Sequence, residues 1–241
     1  MTFFGLFGGK SDESLLKKHA ERAANRRAQA IDRWDAIQAL ARLGTAEAAE
    51  ALLPRFTFYV DPSITDQDEK DAAFEGIVAT GEAALAPVLA FLGKAESISW
   101  GVKILERLVA PAVVTEKLTA LLSAMDTEYE RDPQRKVQLL AALAERSEPR
   151  IAEAVVRFLL DANETVRFHA AGALLAQPEA AAHRAALLAC FCAEESVRVR
   201  NRIIEAFAAR AWNVPDDMIA AIRARLPAGY TLDRSGVPQR A

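Results

Sequence analysis

The sequence predicts an all-α chain built from about six helical hairpins, and three observations carry that expectation. Alanine, the strongest helix former, supplies 50 of 241 residues. Strand signals are nearly absent. A helix–turn–helix unit recurs through most of the chain, and internal repeats fix an architecture before any local reading does.

The repeat is clearest in two windows. Residues 161–174 read Asp-Ala-Asn-Glu-Thr-Val-Arg-Phe-His-Ala-Ala-Gly-Ala-Leu, and 194–207 read Glu-Glu-Ser-Val-Arg-Val-Arg-Asn-Arg-Ile-Ile-Glu-Ala-Phe. In each, an acidic turn leads to Val-Arg and then to an amphipathic helix, and Val166 and Val197 are 31 apart. A second signal precedes such helices. Pro54 and Pro87, 33 apart, each lie in an apolar run, and Val155 holds the equivalent place in 151–160. Second helices anchored on Ala36, Ala73, Ile104, Leu139, Ala170 and Asn201 are spaced 37, 31, 35, 31 and 31 residues apart. The longer spacings place insertions around 57–66 and 126–132.

Periodicity supports the helices independently. Ile151, Val155, Phe158 and Leu159 fall at i, i+4, i+7 and i+8, as do Val166, Ala170, Ala173 and Leu174. One hairpin cannot bury such a stripe alone, and stacked neighbours can. Thr45 is placed to cap a helix from about 46, and Asp132 one opened by Pro133. Pro111, Pro149 and Pro215 mark further helix starts. Phe56–Val60, the one β-prone run, reads as the end of a helix after Pro54, and 61–66 as a loop.

The repeats resemble HEAT repeats, including the bacterial HEAT-like repeats of phycobilisome-lyase type. The resemblance covers most of 31–225 and is most specific where Asp161 lies six residues before Arg167. It implies a right-handed α-solenoid over 13–225, with second helices lining a concave face. It also implies a structural ladder in which Arg167 bridges to Asp161 and to the next repeat, with Lys136 and Arg198 at equivalent positions. A short apolar segment, 1–12, precedes the repeats. Phe3, Phe4, Leu6 and Phe7 are read as capping the first helix pair, in a stretch without the features of a signal peptide. A tail, 226–241, follows and reads as frayed or draped over the last helices.

Net charge is −3, which argues against a chain built mainly to neutralise phosphates. It hides a gradient. Residues 44–100 carry 3 basic and 10 acidic groups, whereas 196–241 carry 8 and 4. Opposite signs at the two ends suggest a steered partner, an acidic one, or self-association. No apolar run approaches the roughly 20 residues of a membrane span, and the expected location is cytoplasmic.

No catalytic constellation stands out. His19, His169 and His183 lie in no metal-binding motif, and Cys190 and Cys192, two apart on a helix, point to different faces. Phosphate loops, dinucleotide fingerprints and nucleophile elbows are missing. The expectation is a non-enzymatic scaffold or adaptor, without cofactor or metal, that binds a protein partner through its concave face. The candidate binding residues are Arg198, Arg200 and Arg202, Asp61 and Asp66 at a loop rim, and Trp100. Trp34, Trp100 and Trp212 are read as core. Two alternatives belong to other classes: a nucleic-acid-binding HEAT protein akin to alkylpurine DNA glycosylases, favoured by the C-terminal arginines, and a phycobilin-lyase-like chromophore handler.

Overall fold

The computed structural model describes residues 9–241, with side chains from residue 13. The chain is mostly helical and divides into two compact units, one up to Val114 and one from Thr115. The apolar residues Phe3, Phe4, Leu6 and Phe7 lie outside the described residues, and the first helix begins at Gly9, inside the segment expected to precede the repeats.

The first unit holds α1 (Gly9–Ala23), α2 (Ala30–Leu43), α3 (Ala46–Leu52), α4 (Ser63–Thr80), α5 (Leu85–Lys94) and α6 (Ser99–Leu108). Thr45 caps α3 by accepting from the Ala48 N–H at 3.2 Å, satisfying one of the orphan donors of a helix start. A 3-10 turn at Leu53–Thr57 extends α3 past Pro54. The expected loop over 61–66 is shorter than the sequence suggested: α4 already begins at Ser63, directly after Pro62.

Helix α4 is the centre of this unit, packing on α2, α3 and α6. Its Ala73 and Ile77 are buried with Ala36, Ile37 and Leu40 of α2 and with Ile104 and Leu105 of α6. Gly76 lets α2 and α4 approach closely, because a Cβ there would meet the Ala41 Cβ at 2.6 Å. The stretch Ser63–Lys94 is long and apolar enough, by length and composition, to cross a membrane, although the sequence reading found no such run. It is broken by a 3-10 turn at Gly81–Ala84, and α4 carries the charged residues Asp66, Glu69 and Lys70 on its buried side.

The second unit continues α7 (Pro111–Ser123), which crosses the division, and holds α8 (Gln134–Ala144), α9 (Pro149–Val155), α10 (Glu164–Leu175), α11 (Arg184–Ala193), α12 (Val197–Ala209) and α13 (Ile219–Arg225). Helix α10 packs on α8, α9 and α12. Both predicted stripes are buried: Ile151, Val155, Phe158 and Leu159, and Val166, Ala170, Ala173 and Leu174. The first does not stay α-helical, since a 3-10 segment takes over at Val156–Leu160. Pro133 precedes α8 instead of opening it, and Asp132 accepts from the Gln134 N–H at 3.1 Å. Pro215 likewise leads into a 3-10 turn, Asp216–Met218.

The repeat anchors fall on alternate helices, α2, α4, α6, α8, α10 and α12. All are buried except Asn201, which is half-buried. The tail lies on the last helices, one of its two expected forms, but with a fold of its own. It folds into an antiparallel hairpin of β1 (Tyr230–Leu232) and β2 (Pro238–Arg240), with Thr231 opposite Gln239. The Asp233 carboxylate accepts from the N–H groups of Ser235 and Val237 at 2.8 and 2.9 Å. Gly236, at φ 75°, supplies the left-handed residue of the turn. Its carbonyl accepts from the Val214 N–H, and β2 packs on α12.

The close approach of α2 and α4 makes a prediction with a built-in control. Gly76→Ala overpacks the contact and should lower stability by about 1–3 kcal/mol. Gly93→Ala, in α5 where a Cβ meets nothing within 4 Å, should leave stability unchanged or raise it by up to about 1 kcal/mol. Urea unfolding of both variants checks the opposite signs.

Candidate functional site

The first unit contains a buried charge network formed by α2, the 3-10 turn after α3, and α4. Glu69, 1% exposed, lies at its centre. Arg33 grips it with Nε and Nη2 at 2.9 and 2.8 Å, and Arg55 Nε donates to it at 2.7 Å. Arg55 Nη2 also donates to Asp66 at 2.8 Å, and Lys70 Nζ donates to the other Asp66 oxygen at 2.7 Å. Burial alone would raise the Asp66 pKa, but the hydrogen bonds from Lys70 and Arg55 outweigh it and hold the carboxyl below its usual range. Three cations thus share two carboxylates, as the cost of burying each charge requires.

This network fixes the chain that follows Arg55. Arg55 Nη1 donates to the Phe58 carbonyl at 3.1 Å, and the Val60 N–H donates to Asp66 at 3.1 Å. Asp66 is therefore no rim residue for a partner. It is buried and engaged within the chain, because its place one turn into α4 faces Arg55 and Lys70. Asp61 is exposed, as expected.

The pinned segment borders two clefts. The larger, about 520 Å³, is lined by Phe56, Tyr59, Lys70, Lys94, Glu96 and Trp100, among others. Trp100 is half-buried, stacked on Phe56 with centroids 5.0 Å apart and edge-on to Phe74 at 6.1 Å. Lys103 Nζ lies 4.7 Å from its ring centroid, a cation–π distance. The smaller cleft, about 380 Å³, is lined by Arg26, Gln29, Arg33, Tyr59 and Asp61, among others. The structure thus brings Trp100 into a cleft and adds Tyr59, Lys70 and Lys94, which the sequence reading did not single out. Trp34 is 37% exposed, and Trp212 is half-buried edge-on to Phe207, so neither is fully core.

In the second unit, Arg167 makes the two contacts expected of it, to Asp161 through the backbone carbonyl and to an acidic residue 27 positions on, while Lys136 takes the Asp161 carboxylate. Lys136, fully buried, donates to Asp161 at 3.1 Å, and Asp126 and Glu130 lie within 3.6 Å of it. Arg167 donates to the backbone carbonyl of Asp161 at 2.9 Å and takes Glu194 bidentately at 2.6 and 2.9 Å. Each rung therefore runs forward, from a cation of one second helix to the acidic turn before the next. The Arg167 hydrogen bond raises its own pKa. Burial would raise the Glu194 pKa, but the Arg167 hydrogen bond and the Ser196 N–H lower it overall.

The arginine trio is not left unpartnered, which corrects the sequence reading. Arg198 reaches back to Glu164 at 2.7 Å, and Arg200 donates to the Arg225 carbonyl at 3.1 Å. Arg202 donates to the Phe168 carbonyl at 3.1 Å, and its guanidinium lies 3.4 Å from the Phe168 ring centroid. A Cβ on Gly172 would collide with that guanidinium. Burial and the neighbouring Arg198 lower the Arg202 pKa. His169, edge-on to Phe168, also has its pKa lowered, first by burial and then by Arg202 and Arg198. Cys190 is buried and its thiol is pushed up to about 11, mainly by burial, which leaves no thiolate near neutral pH. Among the described residues, no three His, Cys, Asp or Glu side chains group as metal ligands.

No protein-family model matches the chain, and no curated protein matches it.

The ion pairs make three predictions. Glu69→Gln leaves Arg33 and Arg55 short of a buried counter-charge and should cost about 3–5 kcal/mol, whereas Glu75→Gln on the exposed side of α4 should change stability by less than about 0.5 kcal/mol. Urea midpoints at pH 7 compare them. Arg167→Ala should lower stability by about 1–3 kcal/mol. Because the folded Glu194 pKa lies below the ordinary 4.5, its contribution is present above that pH and lost as pH falls through the folded value. Glu194→Gln should therefore show a shallower loss of stability between about pH 5 and pH 3 than the parent chain.

Proposed function

We propose that the chain is a non-enzymatic, HEAT-like α-solenoid protein that binds a protein partner. The observation that carries this reading is the packing of alternate helices. The repeat anchors occupy α2, α4, α6, α8, α10 and α12, and in each unit an even-numbered helix packs on the next: α2 on α4, α4 on α6, α8 on α10, α10 on α12. Stacked hairpins of this kind bury a continuous core and leave one row of helices to present side chains outward.

The charge pattern favours a protein partner over nucleic acid. Arg198, Arg200 and Arg202 are engaged within the chain, which removes the basic stripe that phosphate binding would use. The step from repeat architecture to binding role rests on analogy, and the clefts beside Tyr59 give it a location.

Crosslinking mass spectrometry of the chain in its native cells tests the reading. The expected outcome is crosslinks to a protein partner concentrated on the lysines of the first unit. Absence of a protein partner overturns it. So does tight binding of duplex DNA by the purified chain with a steep salt slope, the signature of phosphate neutralisation.

A further inference from the structure

We infer that the two clefts flanking Tyr59 form one groove for a linear segment of a partner protein that carries an aromatic or large aliphatic side chain close to an acidic residue. This rests on the partner-binding reading and adds the chemistry of the partner.

Tyr59 is 75% exposed and lines both clefts. A tyrosine ring left in water has no packing reason to hold one position. Here Lys70 Nζ lies 3.8 Å from the ring centroid, and Asp66 holds that ammonium in turn. The ring therefore stands as a fixed divider between the clefts. It is an amphipathic contact surface that loses little conformational entropy when a partner covers it.

The two sides of the divider differ in chemistry. On one side, Trp100 stacked on Phe56 offers an aromatic wall, and Phe74 buttresses it. A cleft of about 520 Å³ accommodates one ring or branched aliphatic side chain with its backbone. Lys94, exposed at the end of α5, has no acidic partner among the described residues. On the other side, Arg26 and Arg33 line a mainly polar cleft together with Gln29 and Asp61.

Charge complementarity selects the occupant. The buried network carries one cation more than its carboxylates. Arg26 and Lys94 are matched in number by Asp61 and Glu96 at the rims, and Lys103 adds a cation over the Trp100 ring, so the groove as a whole keeps a small positive excess. That excess suits a peptide segment bearing one or two carboxylates. It does not match a nucleic-acid strand, which brings a phosphate with every nucleotide into a segment already rich in acidic residues. An extended peptide advances about 3.3 Å per residue, so an apolar anchor and a nearby acid can lie on opposite sides of a single tyrosine ring.

The test uses the full chain and a displayed random dodecapeptide library. Enriched peptides should pair an aromatic or large aliphatic residue with Asp or Glu within about four positions, the reach that an extended strand gives across one ring. A synthesised, fluorescein-labelled representative should bind about tenfold or more weakly to Trp100→Ala, as expected for an anchor residue. Arg26→Glu, on the side that receives the acid, should weaken it severalfold, and by less as salt is raised. Arg26 is exposed, so an unchanged melting temperature in that variant separates binding from folding.

Failure to enrich such peptides, or equal affinity for the parent chain and Arg26→Glu at low salt, overturns the inference. Saturable binding of an oligonucleotide that is lost in Arg26→Glu also overturns it and assigns the groove to nucleic acid. A crosslinked partner whose binding survives both variants overturns the groove assignment while leaving the partner-binding reading intact. The absence of any partner strikes the reading itself.

Discussion

The first unit depends on one carboxylate. Glu69 is buried between two arginines that arrive from different parts of the chain, Arg33 from α2 and Arg55 from the turn after α3. An ion pair in the interior gains little net energy once desolvation is counted, but its geometry is unforgiving. It therefore acts mainly as a register pin. With Glu69 in place, α2 and α4 are locked side by side, the turn after α3 is held against them, and the segment through Val60 is drawn over the network by Asp66. The clefts exist because that segment is held in place.

The second unit solves a related problem with simpler pairs. Lys136 with Asp161, and Arg167 with Glu194, each join a second helix to the acidic turn that precedes the following one. The acid does two jobs. Glu194 accepts from Arg167 and also from the Ser196 N–H at 2.9 Å, so the same carboxylate orders the turn that starts α12. Asp161 does likewise with the Asn163 N–H at 2.8 Å before α10. One side chain thus sets both the spacing of neighbouring hairpins and the entry of the next helix.

Much of this was legible in the sequence, because helix periodicity and repeat spacing are local signals. The anchors from Ala36 to Ala170 fell, buried, on separate helices, Thr45 capped where expected, and Arg167 found acidic company. The misses share a cause. Asp66 read as a rim residue for a partner, and Glu69 was not singled out, because an acidic residue near a helix start has an ordinary explanation in the helix dipole. Their burial depends on Arg33 and Arg55, which are 36 and 14 residues from Glu69, a distance no local pattern spans. The arginines of α12 read as partner-binding because their acceptors lie far off in sequence: the Glu164 carboxylate for Arg198, backbone carbonyls for Arg200 and Arg202, and the Phe168 ring face for Arg202. The C-terminal hairpin was missed for a related reason: its strands are three residues each, and its turn chemistry rests on Asp233 and Gly236 within a stretch that otherwise looks like a tail.

Gly172 shows how the electrostatic surface of the second unit is controlled. The guanidinium of Arg202 occupies the space that a side chain at Gly172 would fill, and there it loses much of its contact with water. An arginine is long and flexible, so a methyl group at that position would expel the cation without disturbing the backbone. The charge that this face presents to solvent is therefore set by a residue that carries none. A single small substitution on α10 would turn a stowed cation into a displayed one, changing what the surface attracts while the fold stays as it is.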